Sequence, residues 1–95
     1  MASSYDDVVY PSFPYEFSHP AHLSAVARLF RLNTPDLADC RVLELGCASG
    51  GNLLPMAVQY PDAKFVGIDL SSRQVEMGQR AVRTLGVMNL ELRTA

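Results

Sequence analysis

The sequence has 95 residues, which suffices for one domain at most, and a chain of this length buries a smaller fraction of its surface than a typical enzyme. Its 48% hydrophobic and 19% charged residues, with a formal net charge of -2, are typical of a globular protein and not of a disordered one. The 8 basic residues form no run, no apolar stretch approaches ~20 residues and no signal peptide is evident, so the sequence indicates neither a nucleic-acid surface nor a membrane span and predicts a cytoplasmic location.

The first part of the chain, residues 1–18, mixes Tyr, Phe and Pro without a helical or an alternating period. Each proline biases the residue before it toward an extended conformation, so we predict an extended arm that precedes a domain over residues 19–95. Two interpretations of the aromatic residues between Tyr10 and Tyr15 stay open. They either anchor the arm against the domain's own surface or form a flap over a ligand.

A helical pattern begins at Pro20 and stops at the Asn-Thr-Pro segment 33–35. The pattern predicts an amphipathic helix. Its apolar face consists of Leu23, Val26, Ala27 and Phe30. His19 and His22 lie near its start, but no acidic residue or cysteine is placed to complete a metal site with them. No metal centre is therefore predicted.

Strands and helices then alternate with short connections. The predicted elements are a strand over 41–45, a helix over 53–59, a strand over 64–68 that leads into Asp69, a helix between Ser71 and Gly86, and a strand that begins within 87–94. This alternation predicts an α/β fold, namely a Rossmann-like βαβαβ unit with a parallel sheet, preceded by the amphipathic helix.

A glycine-rich turn over residues 46–51 connects the first strand to its helix. Such a turn places backbone N–H groups and the positive end of a helix dipole at the carboxyl edge of the sheet, where open α/β folds bind ligands. Asp69, after the next strand, offers two acceptor oxygens to the two hydroxyls of a ribose. The combination favours an adenine-nucleoside cofactor over a purely structural turn beside a surface aspartate.

A dinucleotide is the main alternative ligand, because Gly46-x-Ala48-x-x-Gly51 loosely matches the fingerprint of dinucleotide-binding turns. The methyl group of Ala48 disfavours close approach of a pyrophosphate. Glu44, inside the apolar strand, would also repel a pyrophosphate, whereas the amino group of a methionine moiety would be a partner for it. No Gly-Lys-Ser/Thr follows the turn, so a nucleoside triphosphate is less favoured still.

The two cysteines, Cys40 and Cys47, lie at opposite ends of the first predicted strand. A strand of that length separates them by about 23 Å, which excludes a disulfide between them. Cys47 has no histidine near it in the sequence to activate it, so we attribute it to packing and not to nucleophilic catalysis.

Two segments resemble the cofactor motifs of class I S-adenosylmethionine-dependent methyltransferases. They are residues 42–53, Val-Leu-Glu-Leu-Gly-Cys-Ala-Ser-Gly-Gly-Asn-Leu, and residues 65–71, Phe-Val-Gly-Ile-Asp-Leu-Ser. The arm around Tyr10, the His19-Pro20 pair and residues 52–57 further resemble a bacterial subgroup of this class. In that subgroup a methyltransferase regulatory domain follows the catalytic domain, and some members are protein-lysine methyltransferases.

The resemblance implies S-adenosyl-L-methionine as the cofactor. Glu44 and the turn would hold its methionine end, Asp69 its ribose and Leu70 its adenine, with the aromatic arm over the cleft. The cofactor-binding residues implied in this way are Glu44, Gly46, Cys47, Ala48, Ser49, Gly50, Gly51, Asn52, Asp69 and Leu70. The methyl acceptor is unidentified, with a protein side chain as one candidate, and no catalytic residue is assigned.

The resemblance reaches only the amino-terminal part of the family's catalytic domain. We therefore expect a truncated or cleaved fragment that binds the cofactor but does not catalyse transfer alone. The expected strand order leaves one edge of the first strand unpaired, which predicts pairing with the rest of the domain or an edge-to-edge homodimer. Two other functions stay open: a fragment of a nicotinamide-dependent oxidoreductase, and a non-catalytic interaction module of the same fold.

Overall fold

The computed structural model describes residues 13–95, so most of the predicted arm lies outside the described residues. The elements are α1 (Pro20–Leu29), β1 (Arg41–Leu45), α2 (Leu53–Gln59), β2 (Lys64–Asp69), α3 (Ser72–Leu85) and β3 (Leu90–Thr94), with short 3-10 helices at Glu16–Ser18 and Leu37–Asp39. The predicted α/β fold, with a helix before the first strand, is confirmed. Among residues 13–95, no helix is both long and apolar enough to cross a membrane.

The three strands form one parallel sheet in the order β1-β2-β3. Glu44 of β1 lies opposite Gly67 of β2, which in turn lies opposite Leu92 of β3. Parallel neighbours require crossover connections, and α2 and α3 provide them. The carboxyl ends of the strands therefore meet at one edge of the sheet. Within the described residues, β1 has a strand neighbour on one side only.

The core lies on the face of the sheet that α2 and α3 cover. Alternate residues of β2 and β3 point into it, as the two-residue period of a strand requires. The buried apolar residues are Cys40, Cys47, Leu53, Met56, Ala57, Ala63, Phe65, Val75, Leu90 and Leu92. On the other face, Leu43 and Leu45 of β1 are 61% and 74% exposed.

The ends of α3 follow the prediction. The Ser71 side chain accepts a hydrogen bond from the Gln74 N–H and so caps the amino terminus. Gly86 has a φ of 68° at the carboxyl terminus, a left-handed conformation that glycine adopts at little cost. Within α3, Val75 is buried against the core, whereas Leu85 in the last turn is exposed.

The helix α1 differs from its prediction in two ways. It ends at Leu29, because Arg31 adopts a left-handed φ of 59° and the Leu32 N–H turns back to the Ala27 carbonyl. Its predicted apolar face is also largely uncovered. The exposed residues of that face are Leu23, Val26 and Phe30.

The carboxyl end of the predicted arm is not fully extended. Tyr15 has extended dihedrals, but Glu16–Ser18 forms one turn of 3-10 helix. The turn forms because the Ser18 N–H and the Ser18 hydroxyl both donate to the Tyr15 carbonyl, at 3.2 and 3.0 Å. A local hydrogen bond of this kind competes with the extended conformation that the neighbouring prolines favour.

At the amino edge of the sheet, the Asn89 side chain holds the connection between α2 and β2. Its Nδ2 lies 2.9 to 3.0 Å from the carbonyl oxygens of Ala57, Tyr60 and Ala63. Backbone carbonyls that lie inside a protein need such donors, because water cannot reach them. Asn89 therefore satisfies the backbone of this loop and joins it to the start of β3.

Candidate functional site

The predicted site residues converge at the carboxyl edge of the sheet. A cavity of about 350 Å³ opens there, and its lining consists of Leu45, Gly46, Ile68, Asp69, Leu70 and Ala95. A second cavity, of about 270 Å³, lies at the opposite edge, among residues such as Pro61, Lys64 and Met88, and contains none of the predicted site residues. The cavity between the tips of β1 and β2 is therefore the candidate site.

The turn over residues 46–51 changes direction through three left-handed residues. Gly46, Ala48 and Gly50 have φ values of 78°, 51° and 81°. A Cβ on Gly46 would meet no atom within 4 Å, so this glycine leaves open space beside the cavity. Gly50 is tight instead, because a Cβ there would lie 3.0 Å from a Leu92 methyl group. The left-handed conformation of Ala48 costs roughly 1 kcal/mol.

The amide groups of the turn are used differently from the prediction. We expected them to point toward a ligand, but Gly46 and Cys47 both donate to the Ile68 carbonyl, at 2.7 and 3.1 Å. Ala48 donates to the Asp69 carboxylate at 2.8 Å. The reason is that the turn folds against the tip of β2, whose acceptors take these donors. Gly50 donates to the Cys47 carbonyl at 2.9 Å, so at least four amide groups of the turn are used within the protein.

Asp69 is held through both carboxylate oxygens. Its Oδ2 accepts the Ala48 N–H at 2.8 Å, and its Oδ1 accepts the Ser71 N–H at 2.9 Å. A carboxylate oxygen accepts more than one hydrogen bond, so Asp69 can still accept hydroxyls from the cavity that it lines. The Asp-x-Ser spacing is a signal for the second contact, because aspartate side chains often bond the N–H two residues on.

Glu44 and Asn52 form a contact that sequence reasoning missed. The Asn52 Nδ2 donates to Glu44 Oε2 at 2.5 Å and to the Ser18 hydroxyl at 3.1 Å. The Asn52 Oδ1 accepts the Tyr15 N–H at 2.7 Å. Asn52 is 3% exposed. One amide thus joins β1, the turn and the segment before α1, and no local pattern in the sequence signals a contact across 37 positions.

Of the predicted site residues, Gly46, Asp69 and Leu70 belong to the lining of the cavity, whereas Glu44 and the rest of the turn do not. Leu70 is exposed and contributes to the lining. Ser49 and Gly51 are half-buried in the turn. The Ser49 carbonyl packs against α3 at Gly78, where an added Cβ would overlap it. Contacts with both α3 and β2 therefore hold the turn in place.

Cys47 packs beneath the cavity. Its side chain is 2% exposed, and a Cβ on Gly67 would come within 2.8 Å of its Sγ. Burial, together with the nearby carboxylates of Asp69 and Glu44, raises the pKa of the Cys47 thiol to about 11. A thiol that stays protonated at neutral pH is a poor nucleophile, so the structure agrees with a packing role. Cys40 is also a free, buried cysteine.

His19 has a structural contact on each ring nitrogen. Its Nδ1 accepts the Ala21 N–H at 3.1 Å and caps α1, and its Nε2 lies 2.9 Å from Gln59 Oε1. In the part of the chain that the structure describes, no group of three or more His, Cys, Asp or Glu is arranged to hold a metal ion. His19 is therefore a capping residue that links α1 to α2.

Comparison with protein families identifies this arrangement. A family model described as a methyltransferase domain matches residues 36–95, which is well over half of the chain. The chain belongs to the methyltransferase domain family. The match spans the turn, Asp69 and all three strands, and it does not favour the nicotinamide-dependent alternative.

Individual relatives agree with this assignment. The chain is 52% identical over 87 residues to an uncharacterized protein of Rickettsia prowazekii, a match that covers 92% of this chain and 16% of that protein. It is 37% identical to PKMT2 of Rickettsia typhi, solved in complex with AdoHcy, with a TM-score of 0.86 over 90% of this chain and 17% of that one. A ribosomal RNA small subunit methyltransferase G of Bacteroides fragilis is 29% identical over 77 residues, 81% of this chain and 35% of that protein.

These matches confirm the resemblance to class I S-adenosylmethionine-dependent methyltransferases. The chain spans about a sixth of the length of the first two of these relatives and about a third of the last.

Proposed function

We propose that the cavity at the carboxyl edge binds S-adenosyl-L-methionine and that the protein transfers its methyl group to an acceptor. One observation carries the proposal. Hydrogen bonds hold two carboxylates, Glu44 and Asp69, near the ends of two adjacent strands, and the turn after the first strand leaves open space at Gly46. The similarity to PKMT2 of Rickettsia typhi, solved with AdoHcy, supports it.

The donor set of the site fits this cofactor. Glu44 is proposed to accept the amino group of the methionine moiety, Asp69 the ribose hydroxyls, and Leu70 to pack near the adenine. The other residues proposed to shape the site are Gly46, Cys47, Ala48, Ser49, Gly50, Gly51 and Asn52. The aromatic arm around Tyr10, proposed to lie over the cleft, falls outside the described residues except at its end.

The charge of the site favours a cationic ligand. Within the described residues, the cavity lining includes the Asp69 carboxylate and no basic side chain. S-adenosyl-L-methionine supplies an electrophilic methyl group on a positively charged sulfur when it is bound. The chain's own contribution is to bind and orient, because an in-line approach of acceptor and methyl group is what such a transfer needs. The carboxylates complement positive charge and would repel a pyrophosphate.

A protein side chain is the proposed methyl acceptor, as the resemblance to a subgroup with protein-lysine methyltransferases implies. The protein, with any sequence that extends it beyond residue 95, can be incubated with tritiated-methyl cofactor and a bacterial extract. Label that protease releases and nuclease does not is the expected result. Label that only nuclease releases would contradict this acceptor class.

The outer edge of β1 is proposed to pair with a further strand. The support is that β1 has one strand neighbour within the described residues and that Leu43 and Leu45 are exposed. Unpaired edges with exposed apolar residues promote association. Light scattering of the 95-residue chain is expected to show dimers or larger species, since a second copy is then the available partner. A stable monomer with full helix and strand signals would count against a partner at this edge.

Isothermal titration tests the cofactor directly. S-adenosylhomocysteine is expected to bind the protein saturably, and NADH under the same conditions is expected to give no binding heat. Glu44→Gln and Asp69→Asn keep the size of each side chain and remove its charge, so both are expected to weaken binding of S-adenosylhomocysteine. Tighter binding of NADH than of S-adenosylhomocysteine would overturn the proposal.

A further inference from the structure

Both N–H donors of the Asn52 side chain are used within the protein. An amide has two N–H donors and one carbonyl oxygen with two lone pairs. In Asn52 the donors go to Glu44 and Ser18, and the oxygen accepts the Tyr15 N–H and lies 3.4 Å from the Ser18 hydroxyl. The side chain is also buried. Although Asn52 lies in the cofactor motif, its contacts are therefore with the protein.

We infer that Asn52 is a positioning residue that fixes the Glu44 carboxylate for the amino group of the cofactor. Because the same amide also bonds Tyr15 and Ser18, Asn52 couples cofactor binding to the docking of residues 15–18 against the turn. The inference rests on the proposed function, because the role of Glu44 as the partner of the amino group comes from there.

The contact with Asn52 restricts Glu44 to one orientation. A glutamate side chain loses considerable rotamer freedom when it is ordered, and a hydrogen bond from a buried donor supplies that order before the ligand arrives. Only Oε2 is used by Asn52, and Oε1 accepts no hydrogen bond from residues 13–95. Oε1 is thus the acceptor that remains for an ammonium group, and charge-assisted bonds of this type are stronger than neutral ones.

The same amide attaches the segment that precedes α1. The rings of Tyr15 and Phe17 are exposed, so burial of these aromatic groups does not hold the segment in place. The attachment near the turn is polar and runs from the Tyr15 N–H and the Ser18 hydroxyl to Asn52. A ligand that binds Glu44 in the orientation set by Asn52 therefore also favours the docked segment, and the docked segment favours the ligand by the same factor.

Two ligands separate this role from a purely structural one. S-adenosylhomocysteine has the amino group, whereas 5′-methylthioadenosine has the nucleoside and the sulfur but no amino-acid portion. Asn52→Ala is expected to lower the affinity for S-adenosylhomocysteine about tenfold, since a hydrogen bond to a charged group contributes a free energy of this size. The affinity for 5′-methylthioadenosine is expected to stay at the level of the unsubstituted protein. A general disturbance of the turn would instead lower the affinity for both ligands equally.

Asn52→Asp keeps the shape of the side chain and the acceptor for Tyr15, but it places a second carboxylate against Glu44. The loss of S-adenosylhomocysteine affinity is expected to exceed that of Asn52→Ala and to diminish as the pH is lowered, because protonation of either carboxylate restores a donor between them. In a Glu44→Gln background, Asn52→Ala is expected to have little further effect. Retained binding of 5′-methylthioadenosine shows in each variant that the site is folded.

Asn89→Ala is the matched control, because it removes an asparagine with several hydrogen bonds from the opposite edge of the sheet. It is expected to leave both affinities unchanged. Failure of the unsubstituted protein to bind S-adenosylhomocysteine would refute the proposed function. Binding by the unsubstituted protein, with Asn52→Ala and Asn52→Asp affecting both ligands equally or neither, would refute the positioning role alone.

Limited proteolysis tests the coupling to the segment. Chymotrypsin cleavage after Phe17 is expected to slow when S-adenosylhomocysteine is added to the unsubstituted protein. In Asn52→Ala this cleavage is expected to be faster than in the unsubstituted protein, and saturating ligand is expected to slow it to a smaller extent. Equal protection in both proteins at saturating ligand would refute the coupling.

Discussion

Two asparagine side chains hold opposite edges of the same sheet, and they hold different groups. Asn89, at the amino edge, lies within hydrogen-bond distance of three backbone carbonyls. Asn52, at the carboxyl edge, bonds a carboxylate, a hydroxyl and a backbone N–H from a distant segment. The first arrangement provides hydrogen-bond donors to the backbone carbonyls of a loop. The second orders the Glu44 carboxylate near the proposed cofactor site.

The two edges also differ in the residues that are unfavourable for folding. At the carboxyl edge, Ala48 is left-handed and Glu44 places a carboxylate between two leucines of β1. Each of these features is unfavourable for folding alone. In the described residues around Asn89, no left-handed non-glycine residue occurs. Local costs that persist are characteristic of functional sites, so this difference supports the proposed cofactor site at the carboxyl edge.

The largest expected effect is that of Asp69→Ala on cofactor affinity. The change removes the acceptor of the Ala48 and Ser71 N–H groups and the proposed ribose acceptor together. We expect a loss of about 3 kcal/mol, or about 100-fold, measured by titration with S-adenosylhomocysteine. Asp62→Ala, an exposed aspartate at the amino edge, is the control and should leave the affinity unchanged. Equal losses in both would remove the distinction between the edges.

Gly78→Ala is expected to destabilise the fold by about 2 kcal/mol, because its Cβ would overlap the Ser49 carbonyl and press on the turn. The better helix propensity of alanine offsets part of this strain. The urea midpoint measures the change. Gly86→Ala, whose Cβ meets no atom within 4 Å, is the control and should cost about 1 kcal/mol through its left-handed φ alone. Unchanged stability of Gly78→Ala would mean that α3 does not fix the turn.

Asn89→Ala is expected to lower the free energy of unfolding by about 1.5 kcal/mol, because backbone carbonyls lose their donor. Denaturant unfolding measures the change. A simultaneous loss of cofactor affinity would show that the amino edge is not merely structural and would weaken the contrast with Asn52.

The smallest effect concerns Cys47 and appears only at high pH. Its pKa is raised from 9.0 to about 11 in the folded protein, so the unfolded thiol ionises first. The contribution of the Cys47 thiol to the free energy of unfolding is therefore fully present below pH 9.0, and it declines as the pH rises toward 11. The melting temperature should fall less steeply over this range in Cys47→Ala than in the unsubstituted protein. Identical pH profiles would show that the thiol is not protected by the site.

Sequence reasoning predicted the features that depend on local signals. The strands, the Ser71 cap and the Gly86 terminus follow from periodicity and from the conformational preferences of single residues. The use of the turn's amides could not be predicted, because their acceptor, the Ile68 carbonyl, belongs to another strand. The exposed face of α1 was missed for a related reason, since an apolar pattern does not reveal what covers it.

The role of Asn52 was beyond sequence reasoning as well. The Tyr15 N–H that it accepts lies 37 positions away, and a motif position near a cofactor suggests a ligand contact by default. Only the arrangement in space shows that its two donors go to Glu44 and Ser18 and that its oxygen accepts the Tyr15 N–H.

A crystal structure of the protein with S-adenosylhomocysteine tests the central claim most directly. The predicted result is an amino group about 3 Å from Glu44 Oε1, with Asn52 still on Oε2, and ribose hydroxyls about 3 Å from the Asp69 carboxylate. A ligand bound away from the tips of β1 and β2, or a Glu44 side chain turned from the amino group, would contradict the assignment of this edge as the cofactor site.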